Sequence, residues 1–209
     1  MSAASTALLP SPSAQERRFP SILAQSAAVA ERLIHDQIHS AAAVTLPVLE
    51  DGHDRPVDLT RTFAQRGVLL TFYVGGWSEP CTRALQELEG YRERLAERGY
   101  GVVAVSPEAV KRLHGTIERN GLGFLAVHDH GSRFALSVGL AFRIEAEVRS
   151  ALRSSGVRIQ VWNGEASGQL PVAATLLIGA DRHYQVFAHT GRIGPRTDVT
   201  DAVRVALAA

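Results

Sequence analysis

Apolar side chains recur along this chain at two spacings, and the switches between them outline its elements. Val68-Leu69-Leu70-Thr71-Phe72-Tyr73 is a short run of branched and aromatic residues, the pattern of a strand covered on both faces. From about Pro80 to Arg98 the period lengthens, so that Leu85, Leu88, Tyr91 and Leu95 share one helical face. Ser78 is a fitting cap for that helix. Pro80 suits its first turn, where the missing N–H would have no partner anyway. Val102–Val105 predicts a second buried strand, and residues 107–119 a helix closed by Asn120-Gly121. Phe124–Val127 predicts a third strand, and residues 132–138 a short helix. A polar, Arg-rich stretch over 143–169 follows, with residues 143–153 read as a solvated helix face or contact surface. Ala174–Ile178 and Tyr184–Ala188 then form two strands around Asp181, and Thr197-Asp198 caps a terminal helix through Val199, Val203 and Leu207.

Upstream of this core the pattern differs. Residues 1–20 are rich in Ser, Ala and Pro and predict a disordered tail. Ile22, Leu23, Val29, Leu33, Ile34 and Ile38 recur at helical spacing, so residues 21–42 hold an N-terminal helix ending near Ser40. Asp51-Gly52 marks a turn between extended pieces at 44–49 and 56–59, where the main domain, 43–209, begins. Strand and helix alternate without internal repeats. That order implies an α/β fold with a central, mainly parallel sheet and helices on both faces, although periodicity alone leaves several such folds open.

Composition narrows the partners more than the fold. Basic and acidic side chains number 22 and 21, for a net charge of +1, without the basic excess of a nucleic-acid or membrane-surface binder. No apolar run approaches the roughly 20 residues that span a bilayer. The N-terminus lacks a basic start and an apolar secretory stretch, which implies a cytoplasmic protein. The chain has one cysteine, so an internal disulfide and a Cys-only metal site are excluded. Cys81 is then either an inert core residue or a reactive thiol.

Its setting bears on that choice. In Phe72-Tyr73-Val74-Gly75-Gly76-Trp77-Ser78-Glu79-Pro80-Cys81 a buried strand ends, two glycines turn the chain, and a helix starts with Cys81 in its first turn. The positive end of the helix dipole and its unpaired N–H groups favour thiolate over thiol. Ser78 is positioned to donate its hydroxyl to the sulfur or to a bound oxygen. Glu79 opposes thiolate formation, and Arg83 offsets it if its side chain turns back. Open α/β sheets bind ligands at this edge. Tyr73 and Trp77 would flank such a pocket as its walls.

This segment resembles the alkyl hydroperoxide reductase/thiol-specific antioxidant (AhpC/TSA) family, in its peroxiredoxin-like branch, which carries Phe-Tyr-Arg-Gly-Gly-Trp-Cys-Pro-Tyr-Cys. The similarity continues through Val103–Pro107, Asn120-Gly121, Phe124–Asp129, Trp162-Asn163-Gly164 and Leu170-Pro171-Val172, and covers about residues 45–205. It implies a thioredoxin-like fold with an extra N-terminal helix. It also implies that Cys81 is the peroxide-attacking cysteine, preceded three residues earlier by the Ser or Thr of the family, here Ser78. The chain departs from the pattern in three places. The branch's first cysteine is Ser78, so no dithiol forms. Val74 replaces the family's Pro and the branch's Arg. Ala173 stands where thioredoxin-like proteins carry a cis-proline and peroxiredoxins an arginine, so a trans Val172–Ala173 bond is expected. Arg192 matches a basic position late in the branch.

The remaining candidates are histidines. His128-Asp129-His130 follows the third strand on the edge that holds Cys81, where one imidazole is a candidate base or ligand and a solvated loop is the plainer reading. His35 and His39 lie four apart on the first helix but lack a third ligand, so no metal is expected, and no cofactor.

Two functions follow from these residues and the resemblance. The first is a one-cysteine thiol peroxidase or related thiol oxidoreductase, reduced by an external thiol or a thioredoxin-type protein. The second is a divergent relative without peroxidase activity, whose pocket binds a small organic ligand and serves a different, biosynthetic reaction. A structural or partner-binding role is a third, and a homodimer is compatible with each.

Overall fold

The computed structural model describes residues 43–62, 65–188 and 197–209. The expected N-terminal helix, with His35 and His39, lies outside the described residues, as does Arg192.

Each apolar run of the core becomes a strand. β3 (Gly67–Phe72) has all six residues buried, so both of its faces are covered. It lies between β4 (Tyr100–Ser106), which runs parallel to it, and β8 (Ala174–Gly179), which runs antiparallel. β5 (Leu125–His128) extends the parallel set beside β4. At the margins β1 (Val48–Asp51), β2 (Pro56–Asp58) and β9 (Tyr184–Ala188) complete a seven-stranded sheet in the order β2-β1-β5-β4-β3-β8-β9. The sheet is therefore parallel at its centre and antiparallel at both flanks. Local turns explain the flanks. The Asp51 carboxylate accepts hydrogen bonds from the His53 and Arg55 backbone N–H groups and from the Arg55 side chain, which reverses the chain between β1 and β2 within four residues.

Helices cover this sheet. α1 (Glu79–Glu97) buries Leu85, Leu88 and Leu95 completely, each worth about 1.5–3 kcal/mol of transfer free energy. α2 (Val110–Asn120) buries Leu113 and ends at Gly121, whose φ of 60° is the left-handed geometry favoured after a helix. α6 (Thr197–Ala208) packs on α1 and β8. The Thr175 hydroxyl, 3.1 Å from the Thr71 hydroxyl, donates to Asp198 at 2.8 Å, and this buried polar chain ties α6 to β8 and β3.

The polar 143–169 stretch is more structured than its composition predicts. It includes α4 (Ala146–Ser154), which turns Val148 and Leu152 into the core, and α5 (Ile159–Asn163). Its ends contribute to a small second sheet of β6 (Ala141–Arg143) and β7 (Gln169–Pro171). None of the described helices is long and apolar enough to cross a membrane.

Strand register decides where chemistry can gather. Phe72 is level with Val105, Ser106 with His128, and Ala174 with Phe72. The segments after β3, β4 and β5 and the residue before β8 therefore all emerge at one edge.

Candidate active site

The chain leaves β3 with Tyr73, whose N–H donates to the Val105 carbonyl at 3.1 Å. Gly75, at φ 142°, and Gly76 then turn it. A Cβ on Gly76 would collide with the Thr116 side chain, and one on Gly75 would lie 2.5 Å from the Trp77 indole nitrogen. This close passage brings Ser78 to the N-cap position of α1, where its N–H donates to the Gly75 carbonyl at 3.0 Å. The first helical hydrogen bond runs from the Thr82 N–H to the Ser78 carbonyl at 3.0 Å. Cys81 is thus the third residue of α1 and is only 1% exposed. Ser78 occupies the N-cap position but its hydroxyl makes no capping hydrogen bond, and Pro80 leaves one unpaired N–H fewer in the first turn. Arg83 does turn back, to 3.9 Å from the Glu79 carboxylate.

A carboxyl group that sequence reading passed over organises the rest. Glu108, two residues beyond β4, has no exposed surface. One carboxyl oxygen accepts from the Tyr73 phenol at 3.0 Å and the other from the Thr116 hydroxyl at 3.0 Å. The Gly76 backbone N–H adds a third hydrogen bond, and the Glu108 N–H donates to the Ser106 hydroxyl at 3.2 Å. Burial raises the Glu108 pKa above the usual carboxylate range, while the Gly76, Tyr73 and Thr116 bonds pull it down. Tyr73 is held protonated: burial, the Glu108 charge and the neighbouring Cys81 all push its pKa well above the ordinary phenol value. The group therefore acts as a neutral donor facing an acid. The only signal for Glu108 in the sequence is an acidic residue directly after a buried strand at the sheet's ligand edge.

Glu108 also reaches the histidines. Nδ1 of His128 lies 2.6 Å from the Glu108 carbonyl oxygen. His128 is the last residue of β5 and is 9% exposed, so it is a wall residue of the sheet edge and not part of a solvated loop. Burial lowers its pKa, with only partial opposition from the Glu108 carbonyl. Asp129, 2% exposed, accepts from the Phe134 N–H at 2.8 Å and the Ala135 N–H at 3.0 Å, fixing the start of α3 (Arg133–Ser137). His130 meets His128 edge to face with ring centroids 5.7 Å apart.

Tyr73, Trp77, Ser78, Cys81 and Arg83 thus sit on one strand–turn–helix segment, and His128 joins them through Glu108. Ala173 is buried at the same edge, and its bond to Val172 is trans. Among the described residues no group of three or more His, Cys, Asp or Glu side chains is placed to hold a metal ion.

The AhpC/TSA family model matches residues 39–157, more than half of the chain. A comparison with curated protein sequences finds no significant match. Solved structures of peroxiredoxins share the fold at low identity. Peroxidoxin BcpB from Mycobacterium tuberculosis is 17% identical, with a TM-score of 0.64 over 80% of this chain and 95% of its own. The bacterioferritin comigratory protein of Xanthomonas campestris, described with alkyl peroxide reduction activity, is 13% identical, with a TM-score of 0.58 over 80% of this chain and 98% of its own. A yeast mitochondrial 1-Cys peroxiredoxin, resolved through glutathione/thioredoxin systems, is 11% identical, with a TM-score of 0.58 over 78% of this chain and 72% of its own.

Proposed function

The chain belongs to the AhpC/TSA family, and from that premise we propose that it is a one-cysteine thiol peroxidase or related thiol oxidoreductase with Cys81 as its nucleophile. The observation that carries this reading is the position of Cys81, third in the helix that follows the central strand, with Ser78 at the N-cap. In the reaction the thiolate attacks one oxygen of a hydroperoxide. An S–O bond forms, the O–O bond breaks, and the departing alkoxide takes up a proton and leaves as alcohol or water. Helix-start N–H groups stabilise the charge that develops on oxygen, and the Ser78 hydroxyl orients the peroxide.

Cys81 is left as a sulfenic acid. A first external thiol condenses with it, releasing water and forming a mixed disulfide, and a second thiol returns Cys81 to its reduced form. A low-molecular-weight thiol or a thioredoxin-type protein fills this role, since the chain has no second cysteine. Tyr73, Trp77 and Ala173 line the approach in this reading, and Arg83 tempers the Glu79 charge.

Hydrogen peroxide consumption, followed with dithiothreitol as reductant, tests the assignment. Cys81→Ser should abolish it, and Ser78→Ala should slow it by about tenfold, the worth of one oriented hydrogen bond. Unchanged consumption in Cys81→Ser would exclude the role of the thiol. One observation favours a second reading. A buried carboxyl, Glu108, accepts from the Tyr73 phenol at the sheet edge where Ser78 and Cys81 begin α1, an acid–phenol pair that the peroxidase reaction above does not employ. In that reading the pocket binds a small organic ligand for a different reaction, and the wild-type protein consumes no peroxide.

A further inference from the structure

Between β1 and the turn after β5 lies a cleft of about 610 Å³, within the size range of small-molecule sites. Pro47, Leu49 and Phe134 give it apolar walls, while Glu50, His128 and Arg133 supply polar ones. Cys81, Tyr73 and Trp77 are not among its lining residues.

The polar groups offer a definite pattern. The Glu108 carbonyl can only accept, so Nδ1 of His128, 2.6 Å away, must carry the proton. Burial lowers the ring's pKa and so favours its neutral form, in which Nε2 is the acceptor. That side chain is held from behind by a backbone carbonyl, as an oriented hydrogen-bond acceptor should be. Asp129 also lines the cleft, but both of its oxygens are committed to N–H groups at the start of α3. Its charge is therefore directed into the fold. Arg133 is the exposed first residue of α3 and brings a guanidinium to the rim, with His130 beside it. Glu50 is opposite His128 in the β1–β5 register and is exposed. Its carboxylate disfavours a second anionic group on whatever enters.

We propose that this cleft binds a small monocarboxylic hydroxy acid with an apolar body, its hydroxyl donating to Nε2 of His128 and its carboxylate meeting Arg133. The apolar part lies against Pro47, Leu49 and Phe134. A hydrogen-bond donor, here the hydroxyl, is required because Nε2 can only accept, and a single carboxylate because Glu50 lines the same cleft as Arg133. The site stands whether or not Cys81 reduces peroxides.

Titration of the full chain with mandelate, followed by 1H–15N NMR, tests this directly. Phenylacetate lacks the hydroxyl and malate exchanges the phenyl ring for a second carboxylate, so they serve as the comparison ligands. Mandelate should shift amides of residues 45–50 and 128–137 saturably, with phenylacetate and malate each about tenfold weaker. His128→Asn keeps a side-chain N–H in reach of the Glu108 carbonyl but removes Nε2, and should weaken mandelate about tenfold. Arg133→Gln, at an exposed position, should do the same without disturbing the fold. Shifts that do not saturate, that fall outside the cleft, or that are as strong with phenylacetate would overturn the proposal. So would mandelate affinity that is unchanged in both variants.

Discussion

Glu108 has no exposed surface, yet three hydrogen-bond donors, two from the turn after β3 and one from α2, converge on its carboxyl group. Removing that group strands all three donors. Glu108→Ala should cost about 2–4 kcal/mol in urea unfolding, because each buried donor left unpaired costs about 1–3 kcal/mol and relaxation recovers part of the sum. Glu108→Gln should cost less than half as much. Its carbonyl oxygen still accepts, and its amide can donate to the Tyr73 oxygen, since a phenol hydroxyl plays both roles.

Two buried groups also give stability an acid–base signature. Burial raises Glu108 above its ordinary 4.5, so the folded chain holds a proton that the unfolded chain releases. The stabilisation from that retained proton is complete below about 4.5 and declines as pH rises to the folded value. His128 acts in the opposite direction. Its folded pKa lies below the ordinary 6.5, so its contribution is present above 6.5 and is lost as pH falls through the folded value. Urea midpoints measured across this range should show each limb flatten in the matching variant, Glu108→Gln for the first and His128→Asn for the second. A limb that survives its substitution belongs to another group.

At the scale of elements, two contacts are open to direct test. The turn before α1 passes so close to α2 that Gly76 admits no Cβ without displacing Thr116. Gly76→Ala should destabilise by about 1–3 kcal/mol. Combined with Thr116→Ala it should cost less than the sum of the two, since the smaller partner makes room. A strictly additive pair would mean that backbone strain, and not the Thr116 contact, sets the cost. At the end of α5 the Asn163 side chain is 2% exposed, and neither its amide nitrogen nor its oxygen has a hydrogen-bond partner. Leucine has the same number and branching of heavy atoms and brings no polar atoms to bury. Asn163→Leu should therefore raise stability by about 1–2 kcal/mol, and thermal unfolding provides the readout.

These elements differ in how far sequence revealed them. β3, β4 and α1 were legible because each owes its structure to its own residues: unbroken apolar runs for the strands, a four-residue apolar stripe for the helix. α4 was legible only as a solvated helix face or contact surface, because two buried positions in nine residues, Val148 and Leu152, make too short an apolar stripe to stand out among charges. β6 and β7 are three-residue strands that exist only because they pair with each other.

For the whole molecule, the alternation of strand and helix identified the α/β class, and the run from Tyr73 to Cys81 identified the edge where a site forms. What alternation does not encode is register. Glu108 meets Tyr73 across 35 residues, and His128 meets the Glu108 backbone, because β3, β4 and β5 end level with one another. His128 in particular read as part of a solvated loop, since the sequence gives no sign that β5 continues by one residue and carries the ring into the wall.

The same geometry frames the central claim, that Cys81 at the start of α1 is a peroxide-reactive thiol. Its most direct measurement is mass spectrometry of the Cys81 peptide after brief exposure of the native protein to hydrogen peroxide with dimedone, which captures sulfenic acid. A dimedone adduct on Cys81 is expected, formed faster than on an unstructured cysteine peptide under the same conditions. An unmodified Cys81 under excess peroxide, or labelling no faster than that peptide, would contradict it.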